Sequence, residues 1–191
     1  MRLFVAVEIS PAVRDNLATL MKLLKAVETP ATGKRARWVR PENLHVTLKF
    51  IGEADRTKLD TIAAALSPVR SEQSAELQFR GLGFFPNEKR PRVLWVGIDA
   101  SPNLTGIACQ IDQGLQTLGF PREKRAFTPH LTLARFEPPG ISEGLRAVVR
   151  ENALRDFGAL RTGEFHLIES KLKPSGAEYT TLHSFPFAAG A

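Results

Sequence analysis

Apolar residues along this chain switch between two spacings, and do so twice in the same order. Residues 3–7 (LFVAV) form a continuous apolar run, followed by Ser10-Pro11 and then by Leu17, Leu20, Met21, Leu24 and Val27 at intervals of three and four. The run predicts a buried strand and the intervals predict a helix with one apolar face. Ser10 as N-cap with Pro11 at the first helical position marks the helix start. The same events recur from residue 92: Val93–Ile98 reads as a strand, Ser101-Pro102 follows, and Leu104, Ile107, Ala108, Ile111, Leu115 and Leu118 form a second helical face.

Each copy then passes a basic stretch, with Lys34, Arg35, Arg37 and Arg40 in the first and Arg122, Lys124 and Arg125 in the second. Each stretch ends at a short strand pattern, LHVTLKF at 44–50 and HLTLAR at 130–135. A helical pattern comes next in both, on Leu59, Ile62, Ala63 and Leu66, then on Leu145, Val148, Val149 and Leu154. Strand patterns follow at 75–86 and 163–172, and 177–185 closes the chain. Turn signals at 84–93 and 171–179 break the strands into hairpins. The order predicts an α+β fold of two pseudo-two-fold-related lobes, mainly antiparallel sheet with helices outside, around one shared cleft. With no Pro/Gly/Ser linker between the halves, residues 1–191 read as a single domain of two internal repeats, about 1–90 and 91–191.

Composition narrows the function class. With 43% hydrophobic and 24% charged residues the 191-residue chain is expected to fold around a sizeable core. Its formal charge of +6 and pI near 9.8 favour an anionic partner. A single cysteine, Cys109, excludes an internal disulfide and suits a reducing compartment. The N-terminal apolar run is too short for a signal segment and no run approaches the ~20 residues of a spanning helix, so a cytoplasmic protein with no membrane partner, acting as a monomer, is expected.

The candidate chemistry lies in the two strand patterns. Alternation puts Leu44, Val46, Leu48 and Phe50 on one face and His45, Thr47 and Lys49 on the other; His130 and Thr132 likewise share a face, backed by Leu131 and Leu133. One His-x-Thr strand alone means little. Two at matching points of a duplicated chain predict a pocket with two imidazoles and two hydroxyls. That set suits a phosphodiester: one histidine takes a proton from the nucleophile and the other protonates the leaving oxygen, each contributing about 10²–10⁴ in rate. The threonine hydroxyls can donate to the phosphate oxygens. A histidine's ordinary pKa near ~6.5 lets both protonation states exist near neutrality. Against a catalytic metal, the motif faces carry no carboxylate, and His166 and His183 fall in other strands. No serine elbow and no glycine-rich phosphate loop is present.

HVTL and HLTL resemble the paired HxTx motifs of the 2H phosphoesterase superfamily. With RLFVAVEIS, RWVRPENLHVTLKFIG, PRVLWVGI and FTPHLTLAR around them, nearly the whole chain is similar to the bacterial RNA 2′,3′-cyclic phosphodiesterases, also called 2′-5′ RNA ligases. The resemblance implies cofactor-free, metal-independent hydrolysis of RNA or small-nucleotide 2′,3′-cyclic phosphates to 2′-phosphates. It implies His45 as the acid protonating O3′, His130 as the base activating water, and Thr47 and Thr132 on the phosphate oxygens. Ligation would follow when a 5′-hydroxyl replaces water. An arginine near the phosphate is also implied and Arg135 matches it, although strict alternation places Arg135 on the Leu131/Leu133 face unless a bulge brings it round; the alternative is a salt bridge at the rim.

Trp38 and Phe85 read either as core residues or as rings that stack a base; Arg92, with Lys34, Arg35, Arg37, Arg90, Arg122, Lys124 and Arg125, reads singly as solvated surface and as a group flanking both motifs as a track for an RNA backbone. Tyr179 and Cys109 are assigned no role. The rival is a non-catalytic module that grips an RNA end or a phosphate. A simple grip needs arginine and lysine rather than two titratable histidines.

Overall fold

The computed structural model describes residues 1–28, 36–137, 139–174 and 176–188. Lys34 and Arg35 lie outside them. The apolar run becomes strand β1 (Arg2–Glu8), and the three-four spacing becomes helix α1 (Pro11–Val27), which buries Val13, Leu17, Leu20, Met21 and Leu24. The Ser10 hydroxyl accepts from the Val13 amide at 3.3 Å, satisfying one of the helix's orphan N–H groups. A two-residue strand, β2 (Arg37–Trp38), and a 3₁₀ turn (Pro41–Asn43) lead into β3 (His45–Glu53), the first motif strand.

Helix α2 (Leu59–Leu66), β4 (Ala75–Phe85), β5 (Val93–Ala100), α3 (Pro102–Gln116) and the second motif strand β6 (His130–Arg135) follow in the expected order. Ser101 precedes α3 as Ser10 precedes α1, but its hydroxyl donates to Asn103 Oδ1 at 2.6 Å and accepts from the Glu76 amide instead of capping the helix. Helix α4 (Glu143–Glu151) stops before Leu154, which is 75% exposed and off the apolar face expected for it. The Asn152 side chain donates to the Val148 carbonyl at 2.7 Å, and the chain turns into β7 (Asp156–Thr162). Strands β8 (Glu164–Lys173) and β9 (Gly176–Pro186) complete the fold.

Two antiparallel sheets result, ordered β3-β1-β8-β9 and β2-β6-β5-β4-β7. Neither belongs to one half of the sequence. In each sheet the half's opening strand, β1 or β5, pairs with its own motif strand on one side and with a strand of the other half, β8 or β4, on the other. The helices cross over as well: α1 packs on β7 and α4, while α3 packs on α2 and on β3. Asn16 of α1 donates to the Phe157 carbonyl of β7 at 3.1 Å. One continuous core, including Leu3, Val5, Val7, Val46, Leu48, Leu94, Val96, Leu131 and Leu133, underlies both sheets. The opposite face of β1 carries a small separate cluster, Phe4 and Ala6 with Ile168, against which Tyr179 packs.

Candidate active site

The motif strands β3 and β6 adjoin where the two sheets meet. Val46 and Leu48 of one, and Leu131 and Leu133 of the other, enter the shared core. Their half-buried neighbours His45, Thr47, His130 and Thr132 therefore stand on the opposite, open faces of both strands.

Both histidines are held the same way. His45 Nδ1 lies 2.8 Å from the Asn43 carbonyl and His130 Nδ1 lies 2.8 Å from the Thr128 carbonyl. A carbonyl only accepts, so each Nδ1 carries the proton, and Nε2 is left as the nitrogen open to a substrate. Asn43 is itself fixed through its side-chain amide, which donates to the Ala177 carbonyl at 2.7 Å. Neither the Thr47 nor the Thr132 hydroxyl has a hydrogen-bond partner among the described residues.

The surroundings of the two rings differ. His45 sits 4.6 Å from the Phe4 ring and 5.3 Å, edge-on, from Tyr179. Burial pushes its imidazolium below the ordinary histidine value, opposed by the hydrogen bond to the Asn43 carbonyl. Among the described residues the ring that His130 meets is Phe85, edge-on at 5.0 Å. The Tyr179 hydroxyl is pushed up by burial, with the charges of Arg2 and Arg135 pulling it the other way. Arg135 belongs to the second sheet and Tyr179 to the first, so that influence runs across the cleft.

A backbone irregularity explains how Arg135 gets there. Pairing of β1 with β3 runs Val5↔Lys49 and then Ala6↔Thr47, skipping Leu48; pairing of β5 with β6 runs Leu94↔Ala134 and then Trp95↔Thr132, skipping Leu133. Each HxTL motif thus bulges at its last leucine, and alternation slips by one residue beyond it. Ala134 turns into the core and Arg135 to the open side, exposed and without an ion pair among the described residues.

The same slip overturns the expected faces in the first motif. Phe50, expected in the core, is 58% exposed, 6.3 Å from the Phe4 ring. Lys49, expected beside His45 and Thr47, is buried: its Nζ lies 2.5 Å from Asp112 Oδ1 and 2.6 Å from the Pro121 carbonyl. Burial alone would raise the Asp112 carboxyl, but hydrogen bonds from Lys49, the Glu123 amide and Arg122 outweigh it and hold the carboxyl below its usual value.

Of the other candidates, Phe85 lies on the open face beside His130. Trp38 does not. It pairs with Ala134 and shares that residue's core-side face, its indole N–H donates to Glu28 Oε2 at 2.7 Å, and Lys25 Nζ stands 5.7 Å from its ring. Arg92 is exposed just before β5, its amide donating to the Phe85 carbonyl and its carbonyl accepting from the Phe136 amide. Arg37 faces the same way as Arg135 and pairs with Glu137 at 3.1 Å.

Sequence reasoning missed Phe50, Tyr179 and Trp95. A signal for Trp95 existed: aligning the two Ser-Pro helix starts sets Phe4, which touches His45, against Trp95, which touches Phe85. Tyr179, the only tyrosine of the chain, carried no comparable mark. Among the described residues no three His, Cys, Asp or Glu gather as a metal site would require, and no helix is long and apolar enough to cross a membrane.

Comparison with known proteins agrees with this geometry. The family described as LigT like Phosphoesterase matches the chain twice, over residues 7–95 and 96–179. The RNA 2′,3′-cyclic phosphodiesterase of Archaeoglobus fulgidus is 37% identical over 97% of this chain and 99% of its own length. The protein of that name from Methanothermobacter thermautotrophicus is 31% identical over 96% and 97%. Among solved structures, a Thermus thermophilus protein superposes with a TM-score of 0.74 at 28% identity, covering 98% of both chains. Escherichia coli LigT in its apo form gives 0.74 at 22% identity, covering 98% and 97%, which bears on the fold alone. By the paired matches across nearly all of its length, this chain belongs to the LigT-like phosphoesterases of the 2H superfamily.

Proposed function

We propose that this protein hydrolyses 2′,3′-cyclic phosphates at RNA ends, or on small nucleotides, to 2′-phosphates, without a metal or other cofactor. The observation that carries this is the mirrored pair: two His-x-Thr strands, each imidazole tied through Nδ1 to the carbonyl two residues before it at 2.8 Å. The names of the full-length relatives support the substrate class.

In the reaction, water attacks phosphorus and the P–O3′ bond breaks. His130 Nε2 takes the water proton while His45 Nε2–H supplies a proton to O3′, leaving a 2′-phosphate and a 3′-hydroxyl. Thr47 and Thr132 donate to the non-bridging oxygens, and Arg135 balances their charge. Phe50 offers its exposed ring to the base of the terminal nucleoside. The assignment of acid and base is carried over from the family, and the free protein's electrostatics oppose it in part, since burial disfavours a protonated His45. The arriving phosphate anion supplies the compensation, because an adjacent negative charge favours the imidazolium.

The tandem family match and the repeated order of elements support reading the chain as one domain of two repeats, about 1–90 and 91–191. Since one chain furnishes both motifs, a monomer suffices for activity, and a cytoplasmic location fits an RNA substrate.

The test is the pair of variants H45A and H130A, assayed on adenosine 2′,3′-cyclic phosphate. Each should lose about 10²–10⁴ in kcat while keeping the wild-type circular dichroism spectrum. A protein that binds RNA tightly but releases no product from several cyclic substrates would instead be a binding module.

A further inference from the structure

Beside His130, the open face of the second sheet carries an aromatic surface that hydrolysis as described above does not use. The Phe85 ring meets His130 edge-on at 5.0 Å, and the Trp95 ring lies 5.2 Å beyond Phe85, inclined at 32°. Two glycines set the indole's position. A Cβ on Gly83 would fall 2.3 Å from Trp95 Cζ2, and one on Gly97 would fall 3.3 Å from Cζ3, so the ring lies flat on the sheet where only glycine leaves room.

Neither Trp95 nor Phe85 packs against the buried core, and both are half-exposed. The indole Nε1 is buried without a hydrogen-bond partner among the described residues. A tryptophan kept at the surface with its N–H unsatisfied costs stability, and the core gains nothing from it.

The direction of the reaction says what this shelf adjoins. O3′ receives its proton from His45 and belongs to the terminal nucleoside, so that nucleoside occupies the His45 side, where Phe50 is exposed. The nucleophile enters on the opposite side of phosphorus, at His130. Water needs no aromatic shelf there, whereas a nucleoside that carries the attacking hydroxyl does. Every base has a π-face to lay on one, and Arg135, which has no ion pair among the described residues, stands on the same face of the sheet.

We infer that the Trp95–Phe85 shelf is the subsite for a second nucleoside, the one whose 5′-hydroxyl takes the place of water at the cyclic phosphate. This rests on the hydrolytic reading above and adds to it the residues that hold the acceptor. The 5′-oxygen bonds to phosphorus and the P–O3′ bond breaks. The hydroxyl proton passes to His130 Nε2, and His45 returns one to O3′. The product is a 2′–5′ phosphodiester, and the same two proton transfers in reverse cleave it, with no co-reactant needed either way.

The test compares cleavage of a 2′–5′-linked adenosine dinucleotide with hydrolysis of adenosine 2′,3′-cyclic phosphate by W95A and W95F. W95A should lower kcat/KM for the dinucleotide about tenfold more than for the cyclic mononucleotide, the scale of one lost base–aromatic stack. W95F, which keeps a stacking ring, should recover most of the difference, and G83A, which displaces the indole, should reproduce it. Equal losses on both substrates, or none on either, would overturn the subsite.

Indole fluorescence in a W38F background separates this from failure of the hydrolytic reading. Quenching by the dinucleotide that adenosine 2′-monophosphate does not match, with no turnover of any substrate, would sink the hydrolytic reading and leave the subsite standing. Absence of that quenching would remove the subsite whether or not cyclic phosphates are hydrolysed.

Discussion

Phe50 and Arg135 stand at matching points of the two motif strands, each three residues past a motif threonine and each turned to the open face by a bulge at the intervening leucine. One repeat therefore presents an aromatic ring to the cleft where the other presents a guanidinium. A cyclic nucleotide has a base at one end and an anion at the other, so on the proposed function this asymmetry would orient it. R135A should lower kcat/KM about ten- to hundredfold, the range for a lost charge-assisted hydrogen bond. R135K should recover only part, having the charge without the planar fork. F50A should cost about tenfold on adenosine 2′,3′-cyclic phosphate and nothing on base-free ribose 2′,3′-cyclic phosphate. Steady-state kinetics on the two substrates reads both effects.

The lowered His45 value makes a prediction about pH. In the free enzyme His45 holds its proton only below the ordinary histidine range, because burial disfavours the cation. On the proposed mechanism the phosphate anion raises it in the complex. The descending limb of kcat/KM, which reports the free enzyme, should lie at lower pH than the descending limb of kcat. Both limbs are properties of the coupled pair, so it is the displacement that matters. Coincident limbs in full pH profiles would mean that the phosphate does not reach His45.

Because the Thr47 and Thr132 hydroxyls bond no protein group among the described residues, their removal should cost catalysis and not stability. T47V and T132V keep a β-branched shape suited to a strand. Each should lose about 10- to 100-fold in kcat if its hydroxyl stabilises charge developing on the phosphate, while the thermal midpoint stays within a degree or two of wild type. A matching fall in thermal midpoint would assign the hydroxyls a structural role.

The Lys49–Asp112 pair should behave in the opposite sense. It ties β3, just beyond the first motif, to the segment that leads into the second, through Pro121, Arg122 and Glu123. D112N leaves a buried ammonium without its counter-charge and should destabilise the fold by about 3 kcal/mol. K49M/D112L, removing both charges, should restore most of that. Asp112 has a lowered carboxyl, so its contribution is complete above the unfolded value near 3.8 and is lost as pH falls through the folded one. Denaturant titrations of the three proteins at neutral pH, and of wild type down to pH 3, measure these differences.

The elements that carry the candidate site were legible because they depend on local pattern. Helices α1 and α3 announced themselves by apolar spacing behind a Ser-Pro start, and the motif strands by a repeated polar pair between leucines. What escaped was set by pairing between distant segments. The bulges at Leu48 and Leu133 arise where those strands meet β1 and β5, and strict alternation consequently misplaced Lys49, Phe50 and Arg135. Strand β7 buries one large residue, Phe157, too little for an apolar pattern to show. The exchange of β4 and β8 between sheets leaves no trace in either strand's own sequence. Trp38 has the same neighbours in sequence whether it stacks a base or, as found, donates to Glu28.

The central claim is that two imidazoles alone carry the acid and base at a cyclic phosphate. Incubating the protein with adenosine 2′,3′-cyclic phosphate in excess EDTA and separating the two adenosine monophosphates tests it most directly. The account predicts adenosine 2′-monophosphate alone, formed at the same rate with or without the chelator. Release of the 3′-isomer, or loss of turnover in EDTA, would contradict it.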